Sequence, residues 1–165
     1  MRKALVSALG LVILAACSPK AADRPAEAVA LAPAAAPAED PKSPKAVVEA
    51  FNKLAFEEHK PIEATLKYVA PDVIEHDVNT PGGGREPILE FMRKRDWTSS
   101  KMKADVKRVI AEGDLVVVHH HVTEGPDDLG MAFVDIFRVK DGLIVEHWDV
   151  AQKVPKPTVN PHGMF

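Results

Sequence analysis

The chain has 165 residues and a formal net charge of -3, and with no basic run of any length this excludes a nucleic-acid-binding surface. Cys17 is its only cysteine, so no internal disulfide can staple the fold and the domain must stand on its hydrophobic core. Beyond the first 42 residues about 120 remain, the size of one domain.

Residues 1–16 have the layout of an export signal: Arg2 and Lys3, an apolar stretch from Ala4 to Leu14, then small residues. The stretch is too short to span a bilayer. Leu14-Ala15-Ala16-Cys17 resembles the lipobox of bacterial lipoproteins, which implies cleavage before Cys17 and acylation of its thiol and freed amine. Each buried methylene contributes about 0.8 kcal/mol, so several acyl chains on one residue make a durable membrane anchor. The competing reading is an ordinary secretory signal with an incidental cysteine. Ser18, where an aspartate would mark retention in the inner membrane, implies the periplasmic face of the outer membrane. Residues 17–42 then form the lipidated cysteine and a tether in which Pro19, Pro25, Pro33, Pro37 and Pro41 interrupt the alanines. Flexible chain of this length reaches about 5–6 Å × √n, which confines the domain at 43–165 to the cell envelope.

Ser43-Pro44 predicts an N-cap and first helical turn, with Val47, Val48, Phe51, Leu54 and Ala55 following at helical spacing. Pro61 starts a short second helix that Pro71 stops, and Val73 to Asp77 is a brief strand. Thr80 to Gly84 is a glycine-rich loop, and Arg85 to Trp97 is a third helix through Ile88, Leu89 and Met92. From there the pattern is β: residues 102–110, 115–123, 131–140 and 143–152, joined by turn-forming sequences of which Asp141-Gly142 is a strong two-residue hairpin. The fold class is α+β, with three N-terminal helices packed on a strongly curved, mostly antiparallel sheet. Such a half-closed sheet leaves a conical hollow suited to a small molecule.

Counting outward from Asp141-Gly142 pairs Phe137 with Glu146 and Asp135 with Trp148. Strict alternation then puts Phe133, Asp135, Phe137, Glu146 and Trp148 on one face and Arg138, His147 and Asp149 on the other. An aspartate among aromatic rings is desolvated and can stay protonated, and a neutral acid there can hydrogen-bond an oxyanion. Asp135 could equally pair with an arginine or cap a backbone group. His76, just before the glycine-rich loop, could project into the mouth of the hollow as a general base, or be a plain surface histidine. In His119-His120-His121 only His119 and His121 share a face. They line the hollow, pack against neighbouring strands or, with His76 and Asp135, form a metal site; the metal reading is not preferred, no metal is expected, and the pattern does not say which face looks inward. His147 and Asp149 read as structural partners of Arg138.

The segments Phe133-Val134-Asp135-Ile136-Phe137-Arg138-Val139 and Asp141-Gly142-Leu143-Ile144-Val145-Glu146-His147-Trp148-Asp149-Val150 resemble the C-terminal hairpin of SnoaL-like proteins in the nuclear transport factor 2-like superfamily. They are most similar to the group described as SnoaL-like aldol condensation-catalysing enzymes. Val118 to His121, Gly130-Met131-Ala132, Gly84-Arg85-Glu86 and Asn160 to Phe165 add to the resemblance, which spans roughly residues 43–165. It implies a cone-shaped fold, an acid at Asp135 that stabilises an enolate, a base at the position of His76, and a homodimer built through the outer face of the sheet.

Together these readings lead to an expected cell-envelope lipoprotein that binds a small carbonyl compound and carries out cofactor-free enolate chemistry, an aldol-type condensation or cyclisation or an isomerisation. His76 and Asp135 would be catalytic, with His119, His121, Phe133, Phe137 and Trp148 lining the substrate pocket and Cys17 lipidated. The alternative is a non-catalytic periplasmic lipoprotein that only holds its ligand.

Overall fold

The computed structural model describes residues 40–156 and 160–165. The export segment, Cys17 and most of the tether lie outside the described residues. Among the described residues no helix is long and apolar enough to cross a membrane.

Ser43 caps the first helix, its Oγ accepting from the Ala46 N–H at 3.3 Å, and Pro44 sits in the first turn where its missing N–H has no intrahelical role. α1 (Pro44–Asn52) runs on into a π-helical turn (Lys53–Glu57), and α2 (Pro61–Tyr68) follows. The strand expected from Val73 begins earlier: β1 spans Val69–Glu75 and includes Pro71. Proline is tolerated there because β1 is an edge strand. Gly84, at φ 94°, lets α3 (Arg85–Arg93) start against β1, since a Cβ there would meet the Pro71 carbonyl oxygen at 2.7 Å. α3 ends short of the expected Trp97. Asp96 draws the Thr98 N–H and the Thr98 and Ser99 hydroxyls onto its carboxylate, a side-chain turn that competes with continued helix.

The remaining strands are β2 (Lys103–Glu112), β3 (Leu115–Thr123), β4 (Met131–Lys140) and β5 (Leu143–Lys153). The sheet order is β1-β5-β4-β3-β2, antiparallel throughout except that β1 runs parallel to β5. The helices cover one face, where Val47, Val48 and Phe51 of α1 join Val116, Val118, Phe137 and Ile144 of the sheet in the core. This is the α+β architecture expected.

The β4–β5 hairpin turns as expected at Asp141 (φ 53°) and Gly142 (φ 80°), the two positive φ values of a type I′ turn. Lys140 pairs with Leu143 and Val139 with Ile144, but the next pair is Arg138 with Glu146. Val145 is therefore an extra residue, a β-bulge. Beyond it Phe137 pairs with His147, Ile136 with Trp148 and Asp135 with Asp149, one residue away from the register expected. Because side chains alternate, this slip exchanges the two faces of β5 from Glu146 onward.

Candidate active site

A cavity of about 160 Å³ lies between the helices and the inner face of the sheet, walled by apolar side chains such as Phe51, Phe56, Ile88, Met92, Phe137 and Ile144. A cavity of about 150 Å³ holds one benzene ring, so the space suits a single small ring. Its polar groups are few. Glu75, Asp135 and His147 cluster on the sheet side, Thr80 comes from the glycine-rich loop, and Thr65 from α2.

The bulge brings His147 into this cluster. Its ring stacks on Phe137 at 4.8 Å between centroids, its Nδ1 donates to Glu75 at 2.9 Å, and its Nε2 donates to Asp135 Oδ1 at 3.2 Å. The Asp77 N–H holds the Glu75 carboxylate from behind at 2.8 Å. On the other side, His120 Nε2 stands 2.5 Å from Asp135 Oδ2, a close polar contact off the axis of a good hydrogen bond. His120 is 3% exposed, tilted against the rings of Phe56 and Phe133, and its Nδ1 has no hydrogen-bond partner among the described residues.

Charge in this cluster follows from its contacts. Burial by itself would drive the His147 proton off, but the Asp135 and Glu75 carboxylates outweigh it and push the ring's pKa up to about 10. His147 is an imidazolium at neutral pH. Burial likewise favours the neutral form of Asp135, yet the contacts from His120 and His147 prevail and its pKa lies below the ordinary carboxylate value. The surroundings thus favour the charged form of Asp135 over the neutral acid expected from its strand: desolvation acts as expected, but the two histidines supplied by β3 and β5 outweigh it. Across the pair, Asp149 shifts up, first by partial burial and then by the neighbouring Asp77 and Asp135.

Several residues expected in the hollow lie elsewhere. His76 follows the end of β1 on the outer side, where its Nε2 meets Glu146 at 3.0 Å and its ring stacks on Trp148 at 4.9 Å. Trp148 is there because the bulge turned it outward. Arg138 donates to Glu146 at 3.0 Å and to Asp114 at 2.8 Å, so the partner of Arg138 is Glu146 rather than His147 or Asp149. His119 and His121 are also on the outer face. Arg108 donates to His119 Nδ1 at 2.7 Å, His121 Nε2 donates to the Leu129 carbonyl at 2.8 Å, and both rings contact Phe165. The inward member of the triplet is His120, since Val116, Val118 and His120 are the buried residues of β3. Phe137 lines the cavity as expected, whereas Phe133 backs His120 outside the lining.

The metal reading needed His76, His119 and His121 to converge with Asp135, and the sheet itself now stands between them. Among the described residues no group of three or more such side chains is placed to hold a metal ion. Glu75, His120 and His147 were missed as site residues. His120 was signalled only by sharing its face with Val116 and Val118, and His147 by nothing short of the bulge.

Among proteins of curated function nothing matches the chain significantly. Among solved structures, IdmH of Streptomyces antibioticus, a proposed polyketide cyclase, is 24% identical, covering 67% of this chain and 92% of its own at a TM-score of 0.50. A proposed ketosteroid isomerase of Kribbella flavida is 21% identical, covering 70% and 86% at 0.53. A nuclear transport factor 2-like protein of unknown function from Cytophaga hutchinsonii is 17% identical, covering 67% and 90% at 0.54. At these identities the likeness is one of fold, and it is the cone-shaped α+β fold described above. Residues 48–147, which run from within α1 to His147, match the SnoaL-like domain, and the chain belongs to that family.

Proposed function

We propose that the domain binds a small carbonyl compound in this cavity and turns it over by cofactor-free enolate chemistry, an aldol-type condensation or cyclisation or an isomerisation. The observation that carries this reading is a buried carboxylate, Asp135, at the polar end of an otherwise apolar cavity with an imidazolium beside it. Asp135 is the base. It takes the proton from the carbon next to the carbonyl, and the electron pair of that C–H bond moves onto the carbonyl oxygen. As Asp135 becomes neutral it releases its hold on His147 Nε2–H, the longest bond of the cluster at 3.2 Å, and that N–H turns to the new oxyanion. The enolate carbon then attacks a second carbonyl carbon, whose C–O π pair becomes an alkoxide that takes the proton back from Asp135, or a conjugated enolate is reprotonated by Asp135 at another carbon.

The test is exchange of the α-protons of cyclohexanone in heavy water, followed by NMR. Asp135→Asn should slow enzyme-catalysed exchange by about a hundredfold or more. Equal rates in the two proteins would remove the mechanism, and binding without any exchange by the wild type would leave a ligand-holding lipoprotein.

The same proposal places the domain in the cell envelope through acylated Cys17. Mass spectrometry should find an acylated N-terminal peptide starting at Cys17, and Cys17→Ala should release the protein from membranes. A homodimer through the outer face belongs to the reading as well, since Ile110, Val134 and Val150 are exposed there. A sedimentation mass of one chain would exclude it.

A further inference from the structure

Two polar side chains of the cavity, Thr80 and Thr65, take no part in the chemistry above, and Thr80 already donates its hydroxyl to Asp77. Thr65, in the second half of α2, is 1% exposed and lines the cavity on its helical wall. Its hydroxyl has one partner among the described residues, the Met92 sulfur at 3.5 Å. A thioether is a weak acceptor and engages only the hydroxyl hydrogen, so the oxygen lone pairs are free. Threonine within a helix commonly bonds back to the carbonyl of the preceding turn, and Thr65 does not. Burying a hydroxyl without a firm partner is unfavourable, and valine would fill the same volume without that cost. Ile88 and Met92 of α3 and Val69 at the start of β1 also line the cavity.

We propose that Thr65 is a ligand-binding residue that selects for a second oxygen on the substrate. Its hydroxyl takes an uncharged hydroxyl or carbonyl on the side of the molecule remote from the carbonyl that meets Asp135 and His147. The inference rests on the reading of the cavity as a carbonyl-compound site. Thr65 stands on the helical wall and the Asp135–His147 pair on the sheet wall, and a cavity of about 160 Å³ lets one six-membered ring touch both. The substrate class is therefore a ring-sized carbonyl compound oxygenated at both ends.

Titrations of cyclohexanone and its para-hydroxy derivative into the full-length chain, compared with Thr65→Val and Thr65→Ser, test this. The wild type and Thr65→Ser should bind the hydroxy compound roughly fivefold more tightly than the parent, the effect of one net hydrogen bond. Thr65→Val, which keeps the shape, should bind both alike. An undiminished preference in Thr65→Val, or no preference in a wild type that does bind cyclohexanone, would overturn the role of Thr65 and leave the cavity reading intact. A wild type that binds neither ring would overturn the cavity reading and this inference with it.

Discussion

On the inner face of the sheet His147 donates to Glu75 at 2.9 Å with side chains 18% and 6% exposed; on the outer face His76 meets Glu146 at 3.0 Å with side chains 40% and 20% exposed. The two pairs use the same residue types at nearly the same distance, one with its acid at the end of β1 and its histidine on β5, the other with its histidine just past β1 and its acid on β5. They differ in what surrounds them. The inner pair abuts an apolar cavity and continues to a second carboxylate, Asp135, so its proton is held tightly and any imbalance is expensive. The outer pair is open to water and counter-ions, which screen it, and it continues to Arg138 and Asp114, a surface network. Geometry makes both pairs; solvent decides which one can do chemistry.

The largest effect expected from breaking this contrast is on turnover: Asp135→Asn should lower α-proton exchange by about a hundredfold or more, read by NMR as above. Next is stability. His147→Gln removes the cation between Glu75 and Asp135 and should cost about 3–5 kcal/mol in urea unfolding, because two buried carboxylates then face each other. A loss indistinguishable from zero would show that the cluster is not charged as described.

The pH dependence of stability sharpens the same point. His147 has a folded pKa raised from 6.5 to about 10, so its contribution is full below pH 6.5 and is lost as pH rises toward 10. Asp135 has a folded pKa below its ordinary 3.8, so its contribution is full above that value and is lost as pH falls further. Thermal unfolding midpoints should therefore be highest between these limits, and His147→Gln should flatten the alkaline decline. A decline of equal slope in the variant would assign it to other groups. The smallest effect belongs to the outer pair: His76→Gln should leave exchange within about twofold and stability close to wild type, as solvent-exposed ion pairs do. If it instead matched His147→Gln in either assay, the distinction between the faces would fail.

Much of this was legible beforehand. The Ser43-Pro44 cap, the helical spacing through Val47, Val48 and Phe51, and the Asp141-Gly142 turn are local features, and each produced the element it predicts. Asp135 stood out between Phe133 and Phe137 because alternation within a single strand places all three together. Its surroundings did not stand out. The position of His76 before a glycine-rich loop points it toward the hollow, but β1 ends at Glu75 and the next residue turns to the outer side. His119 and His121 share one face, which suggests convergence, but it is the single residue between them, His120, that lies on the buried face.

The sequence by itself determined the order and type of the elements, the hairpin, and an aspartate set among aromatic rings, because caps, turns and period-two or helical spacing act over a few neighbouring residues. Only the tertiary structure decided which histidines meet that aspartate and therefore whether it is charged. One extra residue at Val145 reverses every later side chain of β5, and such a bulge is set by pairing with β4 and β1 rather than by the strand's own residues. It carries Trp148 out and His147 in, and converts Asp135 from the neutral acid its strand suggests into the carboxylate its partners hold.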